Sequence, residues 1–182
     1  MILPAKDIDG FLPNSPYPVP VAAAVLTILK EAHRLTGFNP VFEGVQPLQK
    51  NFWQWLLTQS IVVLGRGDTA GKPIAELLIK GGYRVIIIHS QTPNPDAITK
   101  TADIIVSCVG KPNVVRRDTI KKGAFLLSVG ITRGDDGKLH GDYEEDQIRD
   151  HASLYTPTPG GVGPVNVACL MENLVQAATK VL

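Results

Sequence analysis

Four short runs of β-branched and aliphatic residues constrain this chain more than any other feature. They are IVVLG at 61–65, YRVIIIHS at 83–90, TADIIVSCVG at 101–110 and KGAFLLSVGI at 122–131. None alternates apolar with polar residues, so each reads as a strand buried on both faces. Between the first two lies PIAELLIKGG at 73–82, whose apolar residues recur at helical spacing before a Gly-Gly stop. LYT at 154–156 reads as a fifth, shorter strand. Strands separated by helical or turn segments predict a parallel sheet covered on both faces, a Rossmann-like doubly wound α/β domain.

Residues 1–20 precede this pattern and contain Pro4, Pro13, Pro16, Pro18 and Pro20, which prevents a continuous helix and favours an extended segment. Residues 21–35 are good helix formers ending before Gly37. Pro40, Gly44 and Pro47 break the next stretch, and NFWQWLL at 51–57 reads as a short amphipathic helix whose aromatics are packing groups. Residues 135–140 suit a hairpin tip, 143–152 a short acidic helix, and 164–181 a closing apolar helix with a proline in its first turn. The expected organisation is a leading part at 1–59 and a nucleotide-binding domain at 60–182.

The chain has 182 residues, 44% hydrophobic and 19% charged, with a formal net charge of +1. That is enough for one sizeable core, and the scattered basic residues give no face for nucleic acid or an anionic membrane. The longest apolar stretch, 18–29, is too short to span a bilayer, so no membrane partner is expected. Cys108 and Cys169 lie in apolar runs without CxxC spacing, which reads as free thiols in a reducing, cytoplasmic compartment rather than a disulfide or a metal site.

Directly after the first strand come Gly65, Arg66, Gly67, Asp68, Thr69, Ala70 and Gly71. Glycines there permit close backbone approach, and a following helix N-terminus offers N–H groups to a phosphate. The spacing is GxGxxxG, and a plain strand-to-helix turn is the alternative. The second strand ends in His89 and Ser90 instead of the acid that would hold the ribose hydroxyls of NAD. With Arg66 as the cation, Ser90 as a donor and His89 assisting, this favours a 2′-phosphorylated ribose and hence NADP. The alternative is that Arg66 and His89 are surface groups. Asp68 would repel a phosphate unless it caps the helix. Val109, Gly110 and Pro112 after the third strand, and Gly130 and Ile131 after the fourth, add further cofactor-binding candidates at the carboxyl edge where such sheets bind ligands. Finally, TPTPGGVGP at 156–164 packs three prolines and three glycines into nine residues, a fixed backbone path suited to wrapping a ligand.

KDIDGF at 6–11, GRGDTAGKP at 65–73, HS at 89–90, VGKP at 109–112, VGI at 129–131, GD at 141–142 and TPTPGGVGP at 156–164 occur in the order found in one family. The chain resembles the methylenetetrahydrofolate dehydrogenase/cyclohydrolase family. The resemblance implies hydride transfer from 5,10-methylenetetrahydrofolate to NADP, with homodimerisation through the nucleotide-binding domain. It makes Asp9 the catalytic and substrate-binding acid that contacts the pterin, and Pro159, Gly160 and Gly161 the substrate loop between folate and nicotinamide. A carboxylate suits a pterin because it accepts two hydrogen bonds from the amino-pyrimidine edge. The bland reading of Asp9 is a turn residue before Gly10. Gly67, Ala70 and Asn166 depart from the family's serine, valine and threonine. The tyrosine and lysine of the family's Y-x-x-x-K segment, the lysine serving the cyclohydrolase step, are not in this sequence. A separate chain supplying that segment, a non-catalytic nucleotide- or partner-binding module, or a truncated fragment of a longer protein are the readings that follow.

Overall fold

The computed structural model describes residues 2–36 and 51–179. Helix α1 (Pro20–Thr36) and the short α2 (Phe52–Leu57) lead into β1 (Ile61–Leu64), α3 (Gly71–Lys80), β2 (Val85–Ile88), α4 (Pro95–Thr99), β3 (Ile104–Ser107) and β4 (Phe125–Ser128). A two-stranded hairpin, β5 (Thr132–Arg133) with β6 (Leu139–His140), is followed by α5 (Glu145–Ile148), β7 (Leu154–Tyr155) and α6 (Val162–Thr179). The main sheet has the order β2-β1-β3-β4-β7 and every pairing in it is parallel. This is the expected doubly wound fold. The order reverses direction between β1 and β3, which opens a crevice at their carboxyl ends.

Side chains of β1, β3 and β4 alternate between two cores because successive residues of a strand point to opposite faces. Ile61, Val63, Ile104, Val106, Phe125 and Leu127 pack beneath α1, α2 and α3. Val62, Leu64, Ile105 and Leu126 pack on the other face against Val115, Ile120, Tyr143 and Ile148. Phe52 and Trp55 are buried in the first core, as expected of packing groups, while Trp53 stays half exposed. Asn51 caps α2, its side-chain oxygen accepting from the Gln54 N–H at 2.9 Å.

The expectation of a buried second strand needs correction. β2 takes the sheet edge, and Ile86 and Ile87 are exposed while Ile88 alone is buried. The expected helix at 143–152 shortens to α5 because Tyr143 is drawn into the core, its hydroxyl donating to the Thr156 carbonyl at 2.7 Å. The proline-rich start, expected to be extended, instead folds back through a 3-10 turn at Pro4–Lys6 and two further turns, closed by the Gly10 N–H on the Asp7 carbonyl (3.0 Å) and the Ser15 N–H on the Leu12 carbonyl (3.0 Å). It is fastened to α6 by Asn173, a buried residue whose Nδ2 donates to the carbonyls of Ile8 (2.7 Å) and Pro18 (2.9 Å). The expectations for 38–50 lie outside the described residues. Among the described residues no helix is long and apolar enough to cross a membrane.

Candidate functional site

The turn between β1 and α3 is built on two glycines that cannot be replaced without movement. Gly65 has φ +97°, and a Cβ there would stand 2.9 Å from the Cys108 carbonyl oxygen. A Cβ on Gly71, the first residue of α3, would overlap the carbonyl of Gly65. The pair therefore brings the helix start tight against the strand end. Gly67 differs: it is exposed, and a Cβ on it would meet nothing within 4 Å, so it faces open space at the helix mouth. Ala70, at the N-cap of α3, makes no side-chain cap bond. In its first turn the Lys72 N–H donates to the Gly67 carbonyl (3.1 Å), the Ile74 N–H to the Ala70 carbonyl (3.0 Å) and Pro73 has no N–H, which leaves the Gly71 N–H to a ligand or to water, and the helix dipole favours an anion. Asp68 does not cap the helix. It points outward and pairs with Lys72 at 3.4 Å, which offsets part of its charge.

Beside this turn lies a cavity of about 520 Å³, large enough for an adenosine. Gly65, Arg66, His89, Ser90 and Val109 line it, so five of the expected cofactor residues come together around it. Arg66 and Ser90 are exposed and stand on the β1/β2 side of the crevice. His89 is half buried, its backbone N–H donating to Thr92 Oγ1 at 3.0 Å and its Nδ1 accepting from the Gln91 N–H at 3.3 Å. The ring is thereby held at the end of β2. Pro95, Asp96 and Thr119 also line the cavity and were not singled out in the sequence. They belong to α4 and the 3-10 turn at Arg117–Thr119, elements too short to carry a periodic signal.

A second cluster forms on the β3/β4 side. Gly110 has φ +68°, and a Cβ there would approach the Ile131 carbonyl oxygen to 3.3 Å. A Cβ on Gly130 would strike the Gly110 nitrogen and the Asp142 carboxylate. The two loops after β3 and β4 are therefore in direct backbone contact. Val109 and Ile131 are exposed beside them, as is Pro112. Burial holds the neighbouring Cys108 thiol protonated, pushing its pKa up to about 12, with the charge of Asp142 adding to the effect.

The substrate candidates are further apart. Pro159 and Gly160 are exposed in the loop that enters α6, and Gly161 is packed so that a Cβ would overlap the Pro157 carbonyl. Asp9 is exposed in the turn before Gly10 (φ +73°). Its neighbour Ile8 is tied to Asn173, about 18 Å along the α6 axis from Gly161 at the rise of an ideal helix. No hydrogen bond joins Asp9 to the Pro159–Gly161 loop among the described residues. It is Asp7, not Asp9, that is buried, accepting from the Leu12 N–H at 2.8 Å and so fixing the turn.

The residues present fit a dinucleotide: an uncapped helix start, a cavity with a cation and a hydroxyl at its rim, and glycine contacts across the crevice. Residues 40–182 match the family described as tetrahydrofolate dehydrogenase/cyclohydrolase, NAD(P)-binding domain. The bifunctional protein FolD of Lactococcus lactis subsp. cremoris is 38% identical over 182 residues, covering 97% of this chain and 58% of its own length. That of Magnetococcus marinus is 40% identical over 184 residues, covering 98% and 59%. Among solved structures, FolD of Campylobacter jejuni superposes with a TM-score of 0.83 at 29% identity, over 100% of this chain and 61% of that one. The Trypanosoma brucei enzyme, solved with NADP and an inhibitor, gives 0.77 at 34% identity, over 98% and 60%. The chain thus spans about three-fifths of the length of the relatives it matches. The expectation of NADP agrees with the matched domain and with the cofactor in the Trypanosoma structure. With the match covering most of its residues, the chain belongs to the tetrahydrofolate dehydrogenase/cyclohydrolase family, of which it carries the NAD(P)-binding domain.

Proposed function

We propose that this chain binds NADP across the crevice between β1 and β3 and forms the nucleotide-binding wall of a methylenetetrahydrofolate dehydrogenase. The observation that carries the reading is the convergence of Gly65, Arg66, His89, Ser90 and Val109 on one cavity beside the uncapped start of α3. The Gly71 N–H at the start of α3 and the exposed backbone of Gly67 would receive the pyrophosphate, and the Arg66 guanidinium with the Ser90 hydroxyl would receive the 2′-phosphate. Residues 109–112 and 130–131 would border the nicotinamide half. NADP supplies the hydride acceptor for 5,10-methylenetetrahydrofolate. Asp9 would accept from the pterin edge, and Pro159, Gly160 and Gly161 would shape the folate side.

A second reading, a nucleotide- and partner-binding module, is favoured by one surface. Val167, Met171, Leu174 and Val175 recur at helical spacing on α6 and all are exposed. An apolar helix face of this kind suits the rest of the family fold, carried on the same polypeptide or on a separate chain. Homodimerisation is supported by β2, an edge strand with Ile86 and Ile87 exposed and one unpaired row of backbone groups. A single monomeric species in sedimentation at high concentration would remove it. The free thiols Cys108 and Cys169 support a cytoplasmic setting.

The test is reduced-cofactor absorbance on mixing the purified chain with methylenetetrahydrofolate and NADP, with and without the N-terminal portion of a full-length relative. Turnover that appears with that portion and is lost in Arg66→Ala supports the dehydrogenase reading. NADP binding without turnover in either mixture favours the module.

A further inference from the structure

We infer that Asp142 is a positioning residue for the cofactor, holding the loop after β3 and the end of β4 in the one arrangement that admits the nicotinamide half of the dinucleotide. The inference rests on the NADP reading of the crevice and adds to it a residue that does not line the cavity. Asp142 is fully buried, just after the β5–β6 hairpin. Its Oδ2 accepts from Ser107 Oγ (2.5 Å) and from the Val109 N–H (3.0 Å), and its Oδ1 accepts from the Lys111 N–H (2.9 Å). One carboxylate thus grips both ends of the three-residue turn that contains Gly110.

The backbone of Asp142 extends the grip to its neighbours. Its N–H donates to Ser128 Oγ (2.9 Å), which donates in turn to the Gly130 carbonyl (3.1 Å). Its carbonyl accepts from the Val115 N–H at 3.0 Å. The Ser128 N–H donates to Thr156 Oγ1 (2.9 Å), at the root of the Pro159–Gly161 loop. A buried polar line therefore crosses the carboxyl ends of β3, β4 and β7 and joins the two expected cofactor loops to the expected substrate loop. Gly130 closes the arrangement, since any side chain there would displace the carboxylate.

An acid fully removed from water needs a reason to be retained, because an apolar residue of similar size would avoid its desolvation cost. Two backbone N–H groups of one loop, pointing the same way, supply that reason. They need an acceptor on each oxygen, and only a carboxylate offers two. The nearly isosteric amide cannot. In Asp142→Asn one NH2 must face either the Lys111 N–H or the Val109 N–H, donor against donor, whichever way the amide is turned. The turn then has to move, and with it Val109 and Gly110. Arg66 and Ser90, across the switch point on the β1/β2 side, are not in this network.

The experiment compares two ligands on the full chain. NADP spans the crevice, whereas adenosine 2′,5′-bisphosphate fills only the cavity at Arg66 and Ser90, where Val109 is the edge shared with the Asp142 network, and lacks the half that would meet Gly110 and Ile131. Asp142→Asn is expected to weaken NADP about tenfold or more, the loss of a charge-assisted hydrogen bond, and to weaken the bisphosphate several-fold less, through the shared edge at Val109 alone. Ser107→Ala, which removes one bond to the carboxylate and leaves both loop N–H groups in place, is expected to give a smaller loss with the same selectivity. This second variant decides the matter if Asp142→Asn does not fold. Equal loss of both ligands in the folded variants, or no loss of either, would overturn the inference. If the unaltered chain binds the bisphosphate and not NADP, the positioning claim fails while the Arg66 site stands. If it binds neither, the NADP reading fails first.

Discussion

Arg66 and Cys108 stand at the ends of β1 and β3, two residues with opposite demands on water. Arg66 is exposed where a phosphate would reach it, and Cys108 is held under the turn by the close approach of Gly65. The thiol has an ordinary pKa of 9.0 and is pushed up to about 12 by burial, then by the charge of Asp142. An unfolded chain sheds this proton near pH 9 and the native chain only near pH 12, so across that window the unfolded state binds fewer protons. The contribution of the thiol to stability is complete below pH 9 and is lost as pH rises towards 12. Tyr143, also raised by burial, acts in the same direction. Urea midpoints should therefore be flat up to pH 9 and fall above it, and Cys108→Ala should shallow the fall. A midpoint that rises above pH 9 would contradict this. At this scale the sequence was legible where chemistry is local: the glycine turn, Arg66 and Ser90 could be singled out because each needs only its neighbours to make sense. Asp142 could not, since its partners Ser107 and Lys111 lie more than thirty residues away and nothing in a Gly-Asp pair marks burial.

Among the elements, α3 and the four main strands follow from periodicity and composition, and the structure keeps them within a few residues of where the pattern ends. The failures have physical causes. VIII in β2 reads like IVVL in β1, and only the sheet order puts one at the edge and the other in the middle. The helix expected from 143 loses its start to the Tyr143 hydroxyl bonds, a tertiary gain outweighing local preference. Helix α2 was legible from its aromatics, and its Asn51 cap gives a test confined to this element. Asn51→Ala should cost about 1 kcal/mol and lower the melting temperature by a few degrees. NADP affinity should not change, because α2 packs on the far core and does not reach the crevice. A loss of affinity would mean that α2 supports the site.

For the whole molecule, the union of the leading segment with the domain depends on α6, which packs on α1 and holds residues 8 and 18 through Asn173. That bridge joins positions more than 150 residues apart, and no spacing rule could have found it. Asn173→Leu leaves two carbonyls without a donor and should cost about 1–3 kcal/mol. It should speed proteolysis within residues 2–18 while leaving NADP affinity within about twofold, since no residue of α6 lines the cavity. Unchanged proteolysis would show that the segment is held by other contacts. The fold was readable because it obeys local rules, whereas the placement of Asp9 relative to the Pro159–Gly161 loop depends on packing across the whole chain. A phosphate-reading cofactor site at Arg66 is open to calorimetric titration of the full chain with NADP and with NAD. NADP is expected to bind the more tightly, with Arg66→Ala weakening it about tenfold or more and leaving NAD little affected. Equal affinity for the two cofactors, or an Arg66→Ala variant that still prefers NADP, would contradict it.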